Sequence, residues 1–146
     1  MRNRIRPHEH VLVVCTGNIC RSPFAEYELR SLAQARGLEV EARSAGTHAV
    51  PGQRVTEEAL AVAAELGVDL SPHRAMPLTL PLIGWSTLIL ALTEEHARLL
   101  EPMCIPGAGK ERTRIWTLDV ADPYGASVDV YRACYRTLAD RISRLL

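Results

Sequence analysis

The segment His10–Ser22, HVLVVCTGNICRS, determines the fold of the chain that follows it. After His10 it begins with four consecutive aliphatic residues, three of them β-branched, which is typical of a strand buried on both faces. A polar turn containing Gly17 comes next. The pattern becomes helical from Pro23, whose missing N–H costs nothing in the first turn of a helix. The segment therefore predicts a strand, a tight loop and a helix in direct succession.

The rest of the chain repeats this alternation of strand and helix. Strands are predicted at residues 38–44, 87–92 and 114–118, and helices at 23–36, 56–66, 94–100 and 128–146, with a short helix or turn at 78–85. Such alternation forms right-handed βαβ units and hence a parallel sheet. We predict an α/β fold of three layers, a four-stranded parallel sheet with helices on both faces, of the flavodoxin-like type. Ligands bind beyond the carboxyl ends of the strands of such sheets, so the first loop is the first place to look for chemistry.

Size and charge limit the possible functions. The 146 residues, 47% of them hydrophobic, suit one domain over residues 1–146, with residues 1–9 as a flexible extension. Seventeen basic side chains balance 17 acidic ones, so nucleic acid is not expected as a partner. The basic N-terminus has no apolar signal stretch, and the most apolar run, 78–92, is too broken to span a bilayer. We expect a cytoplasmic protein that has no membrane partner.

Four cysteines stand at positions 15, 20, 104 and 134. Two disulfides are conceivable, but a chain of this length folds without them, and reduced thiols are the better expectation. The spacing matches neither a paired CxxC arrangement nor a Cys/His ladder, so no metal site is predicted.

Chemistry is concentrated in the Cys15–Ser22 loop. A turn between a strand and a helix directs several backbone N–H groups into one concavity, with the positive end of the helix dipole behind them, and so favours an anion. The same field favours a nucleophilic thiolate at Cys15. Arg21 can place its planar fork against two phosphate oxygens, while Gly17 and Asn18 suit a close or left-handed backbone. A lone cysteine at a strand end is usually a small core residue, but this combination points to nucleophilic attack on a phosphate.

The sequence resembles the low-molecular-weight protein tyrosine phosphatases from about residue 10 to 146. The resemblance lies in VCTGNICRSP at 14–23, SAGT at 44–47, SPHRA at 71–75 and DPYG at 122–125. It implies the phosphotyrosine phosphatase I fold and a two-step reaction through a phosphocysteine on Cys15, without metal or cofactor. It also implies a phosphate-binding set consisting of Thr16, Gly17, Asn18, Ile19, Cys20, Arg21 and Ser22.

The other catalytic and supporting roles follow from the same resemblance. Asp122 matches the general acid that protonates the departing phenolate and then acts as base toward water. Asp119 is the rival carboxylate, and the DPYG context favours Asp122. Ser22 matches a serine that hydrogen-bonds the thiolate, although a serine before a helix is also an ordinary N-cap.

Asn18, Ser44 and His73 match a buried polar network that supports the loop. For His73 read alone, a satisfied interior histidine is the ordinary interpretation, and the resemblance makes it a support for the loop. Cys20 matches a second loop cysteine of the family, and a reversible disulfide with Cys15 under oxidation would protect the nucleophile. The ordinary interpretation of Cys20 is a buried thiol without such a role.

Substrate choice depends on the walls of the loop. Ile19 and Tyr124 are predicted to flank an aromatic ring, which favours a tyrosine-phosphorylated protein as partner.

Arginine phosphatases of the family carry threonine where this chain has Ile19, and arsenate reductases of this fold add a downstream cysteine pair. A non-catalytic phosphotyrosine-binding module is a third alternative. Eukaryotic-type members place an aromatic residue near Val50, which this chain lacks. It is more similar to bacterial members, whose partners include tyrosine autokinases.

Overall fold

The computed structural model describes residues 3–107 and 109–146. The sheet is four-stranded and parallel, as predicted, and its strand order is β2-β1-β3-β4. The strands are β1 (His10–Cys15), β2 (Glu41–Gly46), β3 (Leu88–Ala91) and β4 (Arg114–Thr117). The helices are α1 (Arg21–Ala35), α2 (Glu57–Glu65), α3 (Leu80–Trp85), α4 (Glu94–Leu100) and α5 (Val128–Leu145), with a 3₁₀ turn at Glu101–Met103.

Two apolar cores lie on opposite faces of the sheet. Alternate side chains of β1 point to opposite sides, because successive residues of a strand face opposite ways. Val11 and Val13 join the core shared with α1, α2 and α5, whereas Leu12 and Val14 join the core shared with α3 and α4. β1 is buried on both faces, as its aliphatic run predicts, and its carboxyl end carries the Cys15–Ser22 loop.

The ends of several elements differ from the sequence predictions, and two of these differences affect the Cys15–Ser22 loop. β2 was expected at 38–44 but runs from Glu41 to Gly46, because its register with β1 continues until Cys15 lies beside Gly46. α1 begins at Arg21 and not at Pro23, so Ser22 stands inside the first turn. The N-cap interpretation of Ser22 is therefore wrong, and its hydroxyl is free for the loop.

The segment before β1 was predicted to be a flexible extension, and its first two residues lie outside the described part of the chain. Ile5 is instead buried, and its N–H donates to the carbonyl of Leu145 at 2.7 Å. Glu9 is buried as well and bonds the guanidinium of Arg114 on β4. An apolar anchor and a paired carboxylate hold these residues against the domain. None of the helices in the described ranges is long and apolar enough to cross a membrane.

Candidate active site

The Cys15–Ser22 loop wraps around the sulfur of Cys15. Asn18 adopts a left-handed backbone with φ of 55°, and its N–H donates to Cys15 Sγ at 3.3 Å. Gly17 has no positive φ, so the strained position predicted for Gly17 or Asn18 belongs to Asn18. A non-glycine residue is stable in this region only where its surroundings hold it.

Side-chain hydrogen bonds fix Asn18 in that position. The N–H of Met76 donates to Asn18 Oδ1 at 2.9 Å, which identifies the amide oxygen and leaves Nδ2 as the donor. Nδ2 donates to Ser22 Oγ at 2.8 Å and to Ser44 Oγ at 2.9 Å. His73 Nε2, 3.0 Å from the carbonyl of Asn18, must donate to it, because a carbonyl can only accept. Asn18, Ser44 and His73 therefore meet as predicted.

The network ends on a carboxylate that the sequence did not reveal. Ser44 donates its hydroxyl proton to Glu26, a side chain of α1 that is only 5% exposed and also pairs with Arg30. Burial raises the pKa of Glu26, and the bonds from Ser44 and Arg30 act in the opposite direction. A glutamate three residues after a proline in a helix looks like any surface residue in the sequence. Its burial depends on the packing of α1 against β2.

One histidine, His73, and one glycine, Gly46, complete the support of the loop. Burial lowers the pKa of His73, so the ring is neutral and carries its proton on Nε2. Gly46 passes so close to the loop that a Cβ there would lie 2.5 Å from the carbonyl oxygen of Thr16. Any other residue at position 46 would push the loop away from β2. This close approach explains the glycine of the SAGT segment.

Arg21 lies beneath the mouth of the loop and is 3% exposed. Its Nη1 donates to the carbonyl of Val120 at 3.0 Å, and its Nη2 lies 3.6 Å from Asp122 Oδ2. Arg21 Nε is buried and has no hydrogen-bond partner among the described residues. A buried guanidinium N–H without a partner is costly, and an anion held in the loop would supply the missing acceptor.

The two candidate carboxylates occupy different places. The Asp122 side chain is about half exposed at 48%, and its Oδ1 accepts the N–H of Tyr124 at 3.0 Å. Asp122 faces the loop beside Arg21, with its other oxygen directed toward the guanidinium. Asp119 adopts a φ of 56°, and its carbonyl accepts from Arg141 at 3.0 Å outside the pocket. The structure therefore favours Asp122 over Asp119.

A pocket of about 240 Å³ opens above Cys15. The pocket is lined by the two predicted wall residues, Ile19 and Tyr124, and by six residues predicted to be catalytic or phosphate-binding: Cys15, Thr16, Gly17, Cys20, Arg21 and Asp122. Asn18 and Ser22 are fully buried beneath the loop instead.

His48 and Gln53 also line the pocket, although no motif in the sequence marks them. Both lie in the connection after β2, and the rule that parallel strands bind ligands at their carboxyl ends could have indicated that connection. Val50 is 61% exposed and is not among the lining residues. The connection in which eukaryotic-type members carry an aromatic residue therefore contributes polar side chains to this pocket.

Cys20 is buried at the start of α1, where α5 holds it at two points. The hydroxyl of Tyr135 donates to the carbonyl of Cys20 at 2.7 Å, and that of Tyr131 lies 3.2 Å from Cys20 Sγ. Burial raises the pKa of Cys20 to about 11, while the bond from Tyr131 acts in the opposite direction. All four cysteines are free thiols in this structure.

The parallel α/β fold and its first loop define the class of protein. A cysteine at the end of β1, an arginine directed into the same loop and a carboxylate at the mouth are the features of a cysteine-dependent phosphatase. The family described as low molecular weight phosphotyrosine protein phosphatase matches residues 10–146, and the chain belongs to that family. It is an enzyme with phosphatase activity.

Individual relatives within the family differ in the substrates that their names give. The protein-arginine-phosphatase of Bacillus subtilis (strain 168) is 35% identical over 144 residues, covering 92% of this chain and 93% of the relative. The probable low molecular weight protein-tyrosine-phosphatase AmsI of Erwinia amylovora is 37% identical over 131 residues, covering 88% of each chain. The crystal structure of a low molecular weight protein tyrosine phosphatase from T. tengcongensis superimposes with a TM-score of 0.84 at 37% identity, covering 94% of this chain and 97% of the other. Overall identity therefore does not separate the two substrate classes.

Proposed function

We propose that the protein hydrolyses phosphotyrosine in proteins through a phosphocysteine on Cys15. The observation that carries this proposal is the position of Asp122 at the mouth of the pocket that contains Cys15, with Arg21 beside it. A nucleophile, an anion-binding guanidinium and a proton donor thus surround the same space. A molecule that only binds phosphotyrosine needs neither the nucleophile nor the acid, which argues against a non-catalytic module.

In the first step the Cys15 thiolate attacks phosphorus, and the bond between phosphorus and the phenolic oxygen breaks. The electron pair leaves with that oxygen, which takes a proton from the Asp122 carboxyl group. Developing charge on the phosphoryl oxygens is stabilised by loop N–H groups and by Arg21, whose unpartnered Nε is available.

In the second step the Asp122 carboxylate takes a proton from water, and the water oxygen attacks phosphorus. The bond between sulfur and phosphorus breaks, releasing phosphate and restoring the Cys15 thiolate. Ser22 stabilises the leaving sulfur, because its Oγ lies 2.8 Å from Cys15 Sγ. No metal or cofactor takes part in this sequence of steps.

The walls of the pocket support tyrosine as the phosphorylated residue. Ile19 presents an apolar side chain, and Tyr124 is exposed on the opposite stretch of chain after Asp122. A phenyl ring between them would bury apolar surface, which a flexible phosphoserine is too short to do. A tyrosine autokinase is the partner that the bacterial relatives suggest.

Phosphoarginine is the second candidate, and the identity to protein-arginine-phosphatases favours it. Against it, Ile19 has no polar group for a guanidinium, and burying an unpaired donor is costly. Arsenate reduction has less support. Cys104 packs in the core on the opposite face of the sheet from Cys15, and burial raises the pKa of Cys134 to about 12, so neither is suited to relay an oxidation.

The proposed substrate and the role of Asp122 can be tested together. Rates should be compared for a phosphotyrosine peptide, phosphoarginine, p-nitrophenyl phosphate and arsenate. Asp122→Ala should lower kcat/KM, which reports the first step, by about 10²- to 10⁴-fold for phosphotyrosine. For an aryl phosphate with a highly activated leaving group the loss in kcat/KM should be much smaller. Equal losses for both esters would remove Asp122 from the acid role, and no hydrolysis by the reduced wild-type protein would overturn the proposal.

We also infer a protective redox role for Cys20. An oxidant such as hydrogen peroxide would convert the Cys15 thiolate to a sulfenic acid. The sulfur of Cys20 would then attack that of Cys15, releasing water and leaving a disulfide that a dithiol reduces. The position of Cys20 in the same pocket wall as Cys15 supports this reaction.

A further inference from the structure

His96 is a buried histidine that the proposed reaction does not use. It lies in the first turn of α4 and is 8% exposed. Its Nε2 is 2.9 Å from Thr16 Oγ1, and its Nδ1 is 2.8 Å from Thr93 Oγ1. Thr16 directly follows Cys15, and its exposed side chain lines the pocket. The imidazole therefore connects the cap of α4 to the wall of the active site.

The cap of α4 favours one of the two positions of the imidazole proton. Thr93 Oγ1 already accepts the backbone N–H of His96 at 3.4 Å, as the N-cap of the helix. Its own proton is then available for Nδ1, which lies 2.8 Å away. With Nδ1 accepting, the ring proton lies on Nε2 and is donated to Thr16 Oγ1.

The surroundings keep this ring neutral. Burial lowers the pKa of His96, and the charge of Arg21 lowers it further. Glu95 and Asp122 act in the opposite direction, and His48 adds to the lowering. A neutral imidazole has one donor and one acceptor, which is what the bonds to Thr16 and Thr93 require.

The backbone of Thr16 is held separately from its side chain. The N–H of His48 donates to the carbonyl of Thr16 at 2.9 Å, and Gly46 packs against the same carbonyl. Loss of His96 would leave these backbone contacts in place. What His96 controls is the orientation of the Thr16 hydroxyl.

We propose that His96 is a positioning residue for the phosphatase reaction, acting through Thr16. Because Nε2–H occupies Thr16 Oγ1 as an acceptor, the hydroxyl proton of Thr16 is directed into the pocket, toward an oxygen of the bound phosphoryl group. This step rests on the proposed function. The contact is made to the ground state and the transition state alike, so its loss weakens binding more than it slows the chemical step.

Three variants test whether His96 acts through Thr16. Thr16→Val keeps the shape of the side chain and removes its hydroxyl. His96→Phe keeps a ring and removes both hydrogen bonds, and the third variant combines the two substitutions. Each single variant should raise KM for p-nitrophenyl phosphate about 10- to 100-fold, the value of one hydrogen bond to a charged group, with kcat within about twofold. The inhibition constant of inorganic phosphate should rise equally. The double variant should be no worse than either single one, because both remove the same contact.

Rescue separates positioning from a merely structural role. The amide of His96→Gln can replace the Nε2 donor, so this variant should recover most of the affinity for inorganic phosphate. His8→Phe, at an exposed site, is the matched control and should change neither constant. Losses that multiply in the double variant, or an unchanged phosphate constant in Thr16→Val, would overturn the proposal. An unchanged phosphate constant in Thr16→Val would overturn the proposal even if His96→Phe fails to fold. Binding of inorganic phosphate is measured without turnover. A failure of the proposed tyrosine specificity would therefore appear in the substrate comparison and not in this measurement.

Discussion

Ser22 Oγ lies 2.8 Å from Cys15 Sγ, and it donates its proton to the sulfur when Cys15 is a thiolate, because a thiolate can only accept. Asn18 Nδ2 donates to the same hydroxyl oxygen at 2.8 Å, which leaves the Ser22 proton free for the sulfur. Asn18 in turn cannot rotate, because the N–H of Met76 donates to its Oδ1. A backbone amide on one side of the loop thereby fixes a donor to the nucleophile on the other. Such a donor stabilises a thiolate more than a thiol.

Ser22→Ala should therefore make Cys15 a poorer nucleophile and a poorer leaving group. A hydrogen bond to a charged group contributes about 1.5–3 kcal/mol, so kcat for p-nitrophenyl phosphate should fall about 10- to 100-fold. Alkylation of Cys15 by iodoacetamide at a fixed pH should be slower, which mass spectrometry can follow. Ser31→Ala on the exposed face of α1 is the matched control. Unchanged alkylation in Ser22→Ala would show that the hydroxyl does not stabilise the thiolate.

Tyr131→Phe should slow the capture of oxidised Cys15 by Cys20. The hydroxyl of Tyr131 lies 3.2 Å from Cys20 Sγ and is held by Thr56 at 3.0 Å. Its bond favours the Cys20 thiolate and lowers a pKa that burial raises to about 11. Without that bond the attacking thiolate becomes scarcer. After a pulse of hydrogen peroxide, the fraction of activity recovered with dithiothreitol should be severalfold smaller.

Cys134→Ser is the control for that experiment, since Cys134 is a second buried thiol whose pKa is raised by burial. It should leave the recoverable fraction unchanged. Equal recovery in Tyr131→Phe and wild type would mean that Tyr131 has no influence on Cys20. Failure of Cys20→Ser to change recovery would remove the redox role itself.

The loop was predictable from the sequence because its contacts are local or carry a motif. Cys15, Arg21 and Asn18 stand within seven residues, and the strand before them is aliphatic. Glu26 and His96 were not predictable, because each is buried by an element that is distant in the sequence. Glu26 faces β2 and hydrogen-bonds Ser44, 18 residues away, and His96 reaches Thr16, 80 residues away.

Element boundaries were less predictable than element types, for a related reason. The strand β2 ends at Gly46 because it pairs with β1 up to Cys15, and register is a property of two strands. The anchoring of Ile5 likewise depends on the end of α5. No window of the N-terminal sequence contains that information.

Stability should fall as the pH drops below the ordinary histidine range, and His73 should account for part of the fall. Burial lowers the pKa of His73 below its ordinary value of 6.5, so the unfolded chain binds the proton more readily than the folded one. The free energy of unfolding therefore rises with pH across this window. The contribution of His73 to stability is lost as the pH falls through 6.5 toward the pKa of His73 in the folded state. His96 has a shift in the same direction. Glu26 acts in the opposite direction. Its pKa is raised in the folded state, so its protonation stabilises the fold as the pH falls.

His73→Gln keeps a donor to the carbonyl of Asn18 and removes the titrating ring. The drop in Tm between pH 7.5 and pH 5.5 should be smaller in this variant than in wild type. About 1 kcal/mol corresponds to roughly 2–4 °C in a domain of this size, which calorimetry resolves. His8→Gln, with its side chain 77% exposed, is the comparison at a surface site. An identical drop in His73→Gln and wild type would contradict the assignment.

Ile19→Thr should move the substrate preference from phosphotyrosine toward phosphoarginine. Ile19 is 9% exposed in the pocket wall, and its replacement removes apolar surface that a phenyl ring would contact while adding a hydroxyl that a guanidinium could bond. Loss of a buried methylene-sized contact typically changes discrimination about 10- to 200-fold. The ratio of kcat/KM for a phosphotyrosine peptide to that for a phosphoarginine peptide should fall by about that factor. Ile19→Val keeps the apolar surface and should keep the preference, which separates polarity from size. A ratio that is unchanged in Ile19→Thr would place the selection elsewhere in the pocket, where His48 and Gln53 form the facing polar wall.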